Sequence, residues 1–390
     1  MRGSALIDKA LASAISRGKI AGLTAAAADA DGVFYDAAFG VRTIDTVQRM
    51  TPDAVFRIAS MTKAITGAAA MQLVEQGKLS LDQPAREVLD FLADTKLLDG
   101  FDADGKPILR APKGTITLRN LLTHSAGFVY DTWNADMNRY AQVTGLPAAR
   151  TGLIDALKAP LGFDPGARWE YGINIDVAGR MVEVASGLDL ETYMNKHIFQ
   201  PLGMVDTSFI QRPEWDSRLA TVHARQPNGT LKPLDVPPAA KPREFYPGGG
   251  GLFSTSADYL RFLMALMRGG ELDGARILKP ETVALMGQNH MGDLDVQVMK
   301  SSIPALSNDV DLFPGMRKKW GLSFLINTQD GPAGRSAGSL AWAGINNTYY
   351  WLDPVKKVAG VIMTQTLPFA DPDVLAALDE FEAAVYETLK

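Results

Sequence analysis

The sequence predicts an α/β protein: one antiparallel sheet flanked by helices, assembled from both ends of the chain, with a mainly helical domain inserted between them. Three observations carry this expectation. Strand-like segments gather near both ends, a stretch of short helices and loops rich in Asp, Gly and Pro fills the middle, and one early helix is apolar on every face. A chain of 390 residues is too long for one simple core and suits two domains, or one domain with a large insertion. The division falls at residues 1–78 with 244–390 for the α/β part and 79–243 for the helical insertion.

Ser4 to Arg17 places Leu6, Ile7, Ala10, Leu11 and Ile15 on one side of a helix. Leu23 to Ala28 and Val33 to Gly40 read as strands, and Asp29-Ala30-Asp31-Gly32 between them is hairpin chemistry. Asp53 to Ile58 is short and extended. Ser60 to Gln76 is the all-round apolar helix, and Gly77 suits the left-handed position after its last turn. In the insertion, Thr117 can cap Leu118 to His124, Asp176 can cap Val177 to Ser186, and Asp189 can cap Leu190 to His197. Beyond Gly248-Gly249-Gly250-Gly251, helices are expected at Ala257 to Met267 and Pro280 to Met286. Strands follow at Trp320 to Ile326, Leu340 to Ala343, Asn347 to Leu352 and Val358 to Thr364, with a closing helix from Asp371 to Leu389.

The composition narrows the function. A net charge of -5 argues against nucleic acid or an anionic membrane as partner, because both select for basic patches. The absence of cysteine removes disulfides, thiolate metal sites and a thiol nucleophile together. His124, His197, His223 and His290 are scattered without a ligand spacing, so no metal is expected. Asp8 and Lys9 interrupt any apolar run at the N-terminus, and no window of about 18 apolar residues occurs elsewhere. The expectation is a cytoplasmic protein that needs no cofactor and acts on a small molecule; the sequence is silent on oligomeric state.

Ser60-Met61-Thr62-Lys63 is an S-x-x-K motif at the start of the buried helix. Residues three apart on a helix share a face, so Ser60 and Lys63 can meet. A serine hydroxyl is a weak nucleophile until a neighbour takes its proton. A lysine can do so only when its pKa falls well below about 10.4, which burial and a helix N-terminus both promote. A second candidate is Trp169-Glu170-Tyr171-Gly172-Ile173-Asn174, where Tyr171 can project into a cleft or equally pack the helical lobe. A third is Trp342-Ala343-Gly344-Ile345, where Gly344 admits close backbone approach and the Ile345 N–H can face an oxyanion, or where a bulge simply adjoins a buried Trp. Tyr130, Trp133, Tyr171, Tyr246 and Trp342 are candidates for an apolar acyl or alcohol pocket or for packing. Gly334-Arg335-Ser336-Ala337-Gly338 matches G-x-S-x-G, but strand rather than helix follows it, against Ser336 as nucleophile. His124 reads as a structural imidazole.

Four stretches, in order, make the chain resemble serine β-lactamases and penicillin-binding proteins of the class C type, and more closely the family VIII carboxylesterases and the fungal lovastatin acyltransferase. They are Phe56 to Lys63, Leu121-Leu122-Thr123-His124-Ser125-Ala126-Gly127, Pro165 to Asp176, and Gly249-Gly250-Gly251-Leu252-Phe253-Ser254. The resemblance implies the β-lactamase/transpeptidase-like fold. It implies acylation of Ser60, proton transfer shared by Lys63 and Tyr171, and an oxyanion hole from the backbone N–H groups of Ser60 and Ile345. Tyr130, Asn174, Trp342 and Gly344 are the candidates expected beside the substrate.

Two departures shape the functional expectation. Trp342-Ala343-Gly344 stands where β-lactamases carry Lys-Thr-Gly, and an indole suits an uncharged ester better than a carboxylate. Asn174 lies three residues after Tyr171 rather than two. The reading is a serine carboxylesterase. The alternatives are an acyltransferase to an alcohol, a β-lactamase or D-alanyl peptidase, and a penicillin-binding sensor that acylates once.

Overall fold

The computed structural model describes residues 4–236 and 243–390. The principal sheet has seven strands: β1 (Gly22–Ala28), β2 (Val33–Gly40), β3 (Lys318–Trp320), β4 (Leu325–Asn327), β5 (Leu340–Gly344), β6 (Thr348–Asp353) and β7 (Val358–Met363). Their spatial order is β3-β4-β5-β6-β7-β1-β2, and every neighbouring pair is antiparallel. The N-terminal hairpin thus completes a sheet begun by the C-terminal strands. The β1–β2 turn closes where Asp29-Ala30-Asp31-Gly32 predicts it, with the Asp29 N–H donating to the Gly32 carbonyl.

Every residue of β1, β6 and β7 is buried, because helices cover both faces of the sheet. Adjacent side chains of a strand point to opposite faces. Accordingly Tyr350 lies 5.1 Å from Tyr259 in α4 (Ser256–Met267), while Trp351 lies 5.4 Å from Phe381 in the closing helix α5 (Pro372–Glu387). Helix α1 (Ser4–Ser16) packs against α5. Asp371 caps α5, its carboxylate accepting from the Asp373 and Val374 N–H groups.

The all-round apolar helix is α2 (Thr62–Glu75); it packs on α3 (Asn174–Ser186) at the centre of the molecule. Gly77 takes the left-handed conformation, φ 68°, that ends it. Thr117 caps Leu118–Leu122 and Asp189 caps Leu190–Met194, each accepting the expected backbone N–H. No helix among the described residues is long and apolar enough to cross a membrane.

Several local expectations are corrected. Trp320 to Ile326 is not one strand: the chain reverses through Ser323, at φ 78°, into the β3–β4 hairpin. That turn presses Ser323 onto Gly67 of α2, where any larger residue would collide with it. Of Asp53 to Ile58, Phe56–Arg57 forms a two-residue strand against Phe253–Ser254, and Val55 adds a single parallel bridge to Leu219. The helix expected to stop at His197 continues through a π-helical turn, Asn195–Phe199, into Gln200–Leu202 and ends at Gly203. Within 79–243, Leu97–Phe101 with Pro107–Arg110 and His223–Arg225 with Leu231–Pro233 form hairpins too short to leave a periodic signal. Asp176 does not cap its helix; α3 begins two residues earlier and carries Asp176 in its first turn.

Gly360 in β7 lies directly beneath the Trp351 ring, and a Cβ there would collide with the indole. Gly360→Ala is therefore expected to lower stability by about 1–3 kcal/mol through overpacking. The check is the urea midpoint at unchanged slope.

Candidate active site

Ser60 sits in a single 3-10 turn, Ala59–Met61, that runs directly into α2. Ala59 is held at φ 44°, a left-handed conformation that costs a residue with a Cβ about 1–2 kcal/mol. Such strain persists only where the surroundings impose it. Here the surroundings are the end of β5, where the Gly344 backbone lies so close to the Ile58 carbonyl that a Cβ would collide with that oxygen. Close backbone approach at Gly344 is found, and the backbone it meets is that of Ile58, just before the Ser60 turn. Ile345 follows β5 immediately, in the turn that leads to β6.

Lys63 is fully buried. Its Nζ lies 3.0 Å from Ser60 Oγ, 3.1 Å from the Tyr130 hydroxyl and 2.5 Å from the Gly249 carbonyl oxygen. Burial pulls the Lys63 ammonium down from its ordinary 10.5 to about 7, against the attraction of Asp176, which favours the charged form. Desolvation wins because no carboxylate touches Nζ directly. At neutral pH a large share of Lys63 is the free amine.

Tyr171 is also buried. Its hydroxyl accepts a 3.0 Å hydrogen bond from the Trp342 indole. Burial pushes the phenol above its usual range, and the hydrogen bond from Trp342 restrains the rise. The Lys63 Nζ lies 4.7 Å from the centre of the Tyr171 ring. The Ser60–Lys63 pair and Tyr171, named from two separate stretches of the sequence, are therefore brought together, and an amine near neutrality beside a hydroxyl can take its proton.

The chain from residue 5 to residue 384 matches the family model for β-lactamase. The chain belongs to the β-lactamase family. Monacolin J acid methylbutanoyltransferase of Aspergillus terreus is 33% identical over 98% of this chain and 95% of its own length. The lovastatin esterase of Penicillium rubens is 32% identical over 96% of both chains. The solved structure of unliganded simvastatin synthase from Aspergillus terreus superposes with a TM-score of 0.83 at 31% identity, over 99% of this chain and 98% of that one. Membership makes this chain an enzyme of the β-lactamase-like serine hydrolase and acyltransferase family, with the β-lactamase/transpeptidase-like fold.

Within this β-lactamase-family site, three further expectations change. Trp342 is buried, wedged 4.6 Å from Trp320 and 5.0 Å from Tyr171, so its indole serves the tyrosine rather than lining open space. Tyr130, expected in a substrate wall, has its hydroxyl bonded to Lys63. Asn174 is fully buried; its Nδ2 donates to the Phe128 carbonyl at 2.9 Å and lies 3.0 Å from His124 Nδ1. Helix α3 begins at Asn174, and the amide is turned inward to the Phe128 carbonyl and His124.

His124 is structural, as expected. Its Nδ1 accepts from the Asn174 amide and the Gly172 N–H, which places the ring proton on Nε2. Burial, with Lys63 nearby, holds the imidazole well below its usual range and therefore neutral. Trp133 packs 5.4 Å from Tyr171, and its indole donates to Ser307, whereas Tyr246 packs at a tilt against Phe209.

Sequence reasoning missed Asp176 and assigned no role to Gly249. Asp176 is buried, accepts from the Gly249 N–H at 2.9 Å, and lies 3.4 Å from the Tyr130 hydroxyl. Any side chain at 249 would collide with that carboxylate. The signal was present in a run of four glycines opposite an acid inside an apolar helix face.

Asn174→Ala should lower stability by about 1–3 kcal/mol, the penalty for stranding buried polar partners. KM for a nitrophenyl ester should stay within about twofold, because the amide does not meet ligand. Denaturant unfolding and steady-state kinetics together check this; a large rise in KM at unchanged stability would restore the substrate-binding assignment.

Proposed function

We propose that this protein is a carboxylesterase that hydrolyses uncharged, short-chain esters through an acyl-enzyme on Ser60. The observation that carries the proposal is the set of contacts around the Lys63 amine. A neutral amine has two N–H donors and one lone pair. The Gly249 carbonyl can only accept, and the Tyr130 oxygen accepts while its own proton is directed at Asp176. Those two partners consume the donors, and the lone pair is left for the Ser60 hydroxyl.

On this reading Ser60 Oγ attacks the ester carbonyl as its proton passes to Lys63 Nζ. The carbonyl oxygen becomes an oxyanion facing the Ser60 and Ile345 N–H groups. Collapse breaks the bond to the alcohol, whose oxygen takes the proton through Lys63 and Tyr171. Water then adds to the acyl carbon, gives its proton to the same pair, and the Ser60–acyl bond breaks with return of that proton to Oγ. The acid departs and the enzyme is restored.

Transfer of the acyl group to an alcohol is the second reading. It is favoured by the methylbutanoyltransferase named among the relatives, as hydrolysis is by the esterase. The two differ only in whether water or an alcohol enters the second step.

Lys63 must be neutral to accept a proton, so kcat/KM should be low in acid and rise to a plateau through pH about 7, where the buried amine titrates. Lys63→Arg, which cannot deprotonate, should lose about 10³-fold or more in kcat/KM. Ser60→Ala should abolish turnover of nitrophenyl butyrate and Ser336→Ala should keep most of it. A dead Ser336→Ala beside an active Ser60→Ala would overturn the mechanism.

With the Trp342 indole committed to Tyr171, that strand position offers no cation to a β-lactam carboxylate. We therefore expect kcat/KM for nitrophenyl butyrate to exceed that for a chromogenic cephalosporin. Equal or better turnover of the cephalosporin would move the protein to the β-lactamases proper. Adding a primary alcohol to the ester assay separates the two readings: a new ester product at the expense of free acid marks transfer.

A further inference from the structure

The acid that accepts from Tyr130 takes no proton in the mechanism above. Asp176 projects from the first turn of α3 into the space behind Lys63, with 1% of its surface exposed. Burial raises its pKa, while the Lys63 charge, the Gly249 N–H and the Tyr130 O–H all favour the carboxylate. A buried charge without such partners would be too costly to keep. The backbone is shaped around this acid: Gly249 is the one residue type that lets the loop reach the carboxylate, and the same residue presents its carbonyl to Lys63.

We propose that Asp176, acting through Tyr130 and Gly249, is a positioning residue that orients the hydrogen bonds around Lys63 so that its lone pair faces Ser60. The inference rests on Ser60 and Lys63 acting as nucleophile and base. Its physical content is directional. A carboxylate can only accept, so it draws the Tyr130 proton toward itself and obliges the Tyr130 oxygen to accept from Lys63. It also anchors the Gly249 N–H, which holds the following carbonyl on Nζ. If Asp176 were an amide, its NH2 could donate to the Tyr130 oxygen. Tyr130 would then be free to donate to the amine and occupy the lone pair.

The groups that face Lys63 are few. Tyr130, with Asp131 beside it, comes from the loop after residue 124, His124 from the end of the preceding helix, Tyr171 from the loop before α3, and Asp176 from α3. His124 is neutral, and burial raises both phenols above their usual range. The carboxylate of Asp176 is thus the charge that acts on the amine, and it favours the ammonium form.

The test is the second-order rate of labelling by a serine-directed fluorophosphonate, followed from pH 5 to pH 10 and mapped by peptide mass spectrometry. Wild type, Asp176→Asn and Tyr130→Phe are compared. The rate should rise with an ionisation of Lys63. In Asp176→Asn the midpoint should move to lower pH by about one unit, because the attraction that favoured the ammonium is gone. The plateau should fall about tenfold or more, because the lone pair is no longer directed. A carboxamide that served only to fill space would leave the midpoint in place, and an unmoved midpoint overturns the proposal. Should Asp176→Asn fail to fold, Tyr130→Phe decides. It removes the acceptor next to the amine and should shift the midpoint the same way by a smaller amount; an unmoved midpoint there overturns the proposal too. Peptide mapping keeps the two levels apart. A label on a residue other than Ser60 overturns the nucleophile assignment itself, whereas a label on Ser60 with unmoved midpoints overturns only the role of Asp176.

Discussion

The site depends on one constraint: a lysine amine with no contact to water, held against a serine by three oxygen atoms. Full burial makes the ammonium form of Lys63 unfavourable, and a shift from 10.5 to about 7 corresponds to about 5 kcal/mol against the charge. That energy comes from the fold. Helix α2 is buried through Leu73, so the only exit for the Lys63 side chain is the polar pocket made by Ser60, Tyr130 and Gly249. A surface S-x-x-K would keep a charged lysine and an inert serine.

Several positions in the scaffold look costly until they are related to that pocket. Ala59 is left-handed because the Ser60 turn must fit against the end of β5, where Gly344 lets two backbones touch. Gly67 admits the Ser323 turn onto α2, and Gly249 admits a carboxylate. Gly172, beside Tyr171, leaves no room for a Cβ against the Phe128 carbonyl, and this fixes the tyrosine loop over the Ser125–Tyr130 segment. The aromatic cluster of His124, Trp169, Tyr171, Trp320 and Trp342 fills the remaining volume and excludes water from one side of the amine. The Trp342 indole both packs and donates to Tyr171, so one residue supplies a wall and a hydrogen bond.

The antiparallel sheet built from both termini was legible because its strands are continuous apolar runs bounded by turn residues, as at Asp29 to Gly32 and around Val358. Helix α2 was legible because no other arrangement buries an apolar cylinder. That Ser60 and Lys63 meet followed from helical spacing, whereas the local pattern left Tyr171 equally a packing residue and only the family resemblance singled it out. What failed were properties of pairs distant in sequence. Asn174 looked like a ligand partner because its amide was visible and its neighbours, Phe128 and His124, were not. Tyr130 lies 67 residues from Lys63, and no local pattern joins them. Asp176 was read as a cap from a local rule, although the helix starts at Asn174 rather than Val177 and the acid turns inward. The Trp320–Ile326 segment is mostly apolar, and its reversal is held by contacts distant in sequence, the Ser323 N–H donating to the Leu122 carbonyl and the Ser323 side chain resting on Gly67.

Chemistry that uses Ser60 as nucleophile and Lys63 as base requires the amine to be largely uncharged near neutrality in the resting protein. The most direct measurement is the titration of Lys63 itself, followed through its ε-carbon by NMR in protein grown on 13C-labelled lysine, with Lys63→Arg to assign the resonance. The account predicts one lysine signal titrating near pH 7, far from the bulk of the lysines. A Lys63 signal that stays in the ammonium position to pH of about 9.5 or above, where an ordinary lysine begins to titrate, would contradict it.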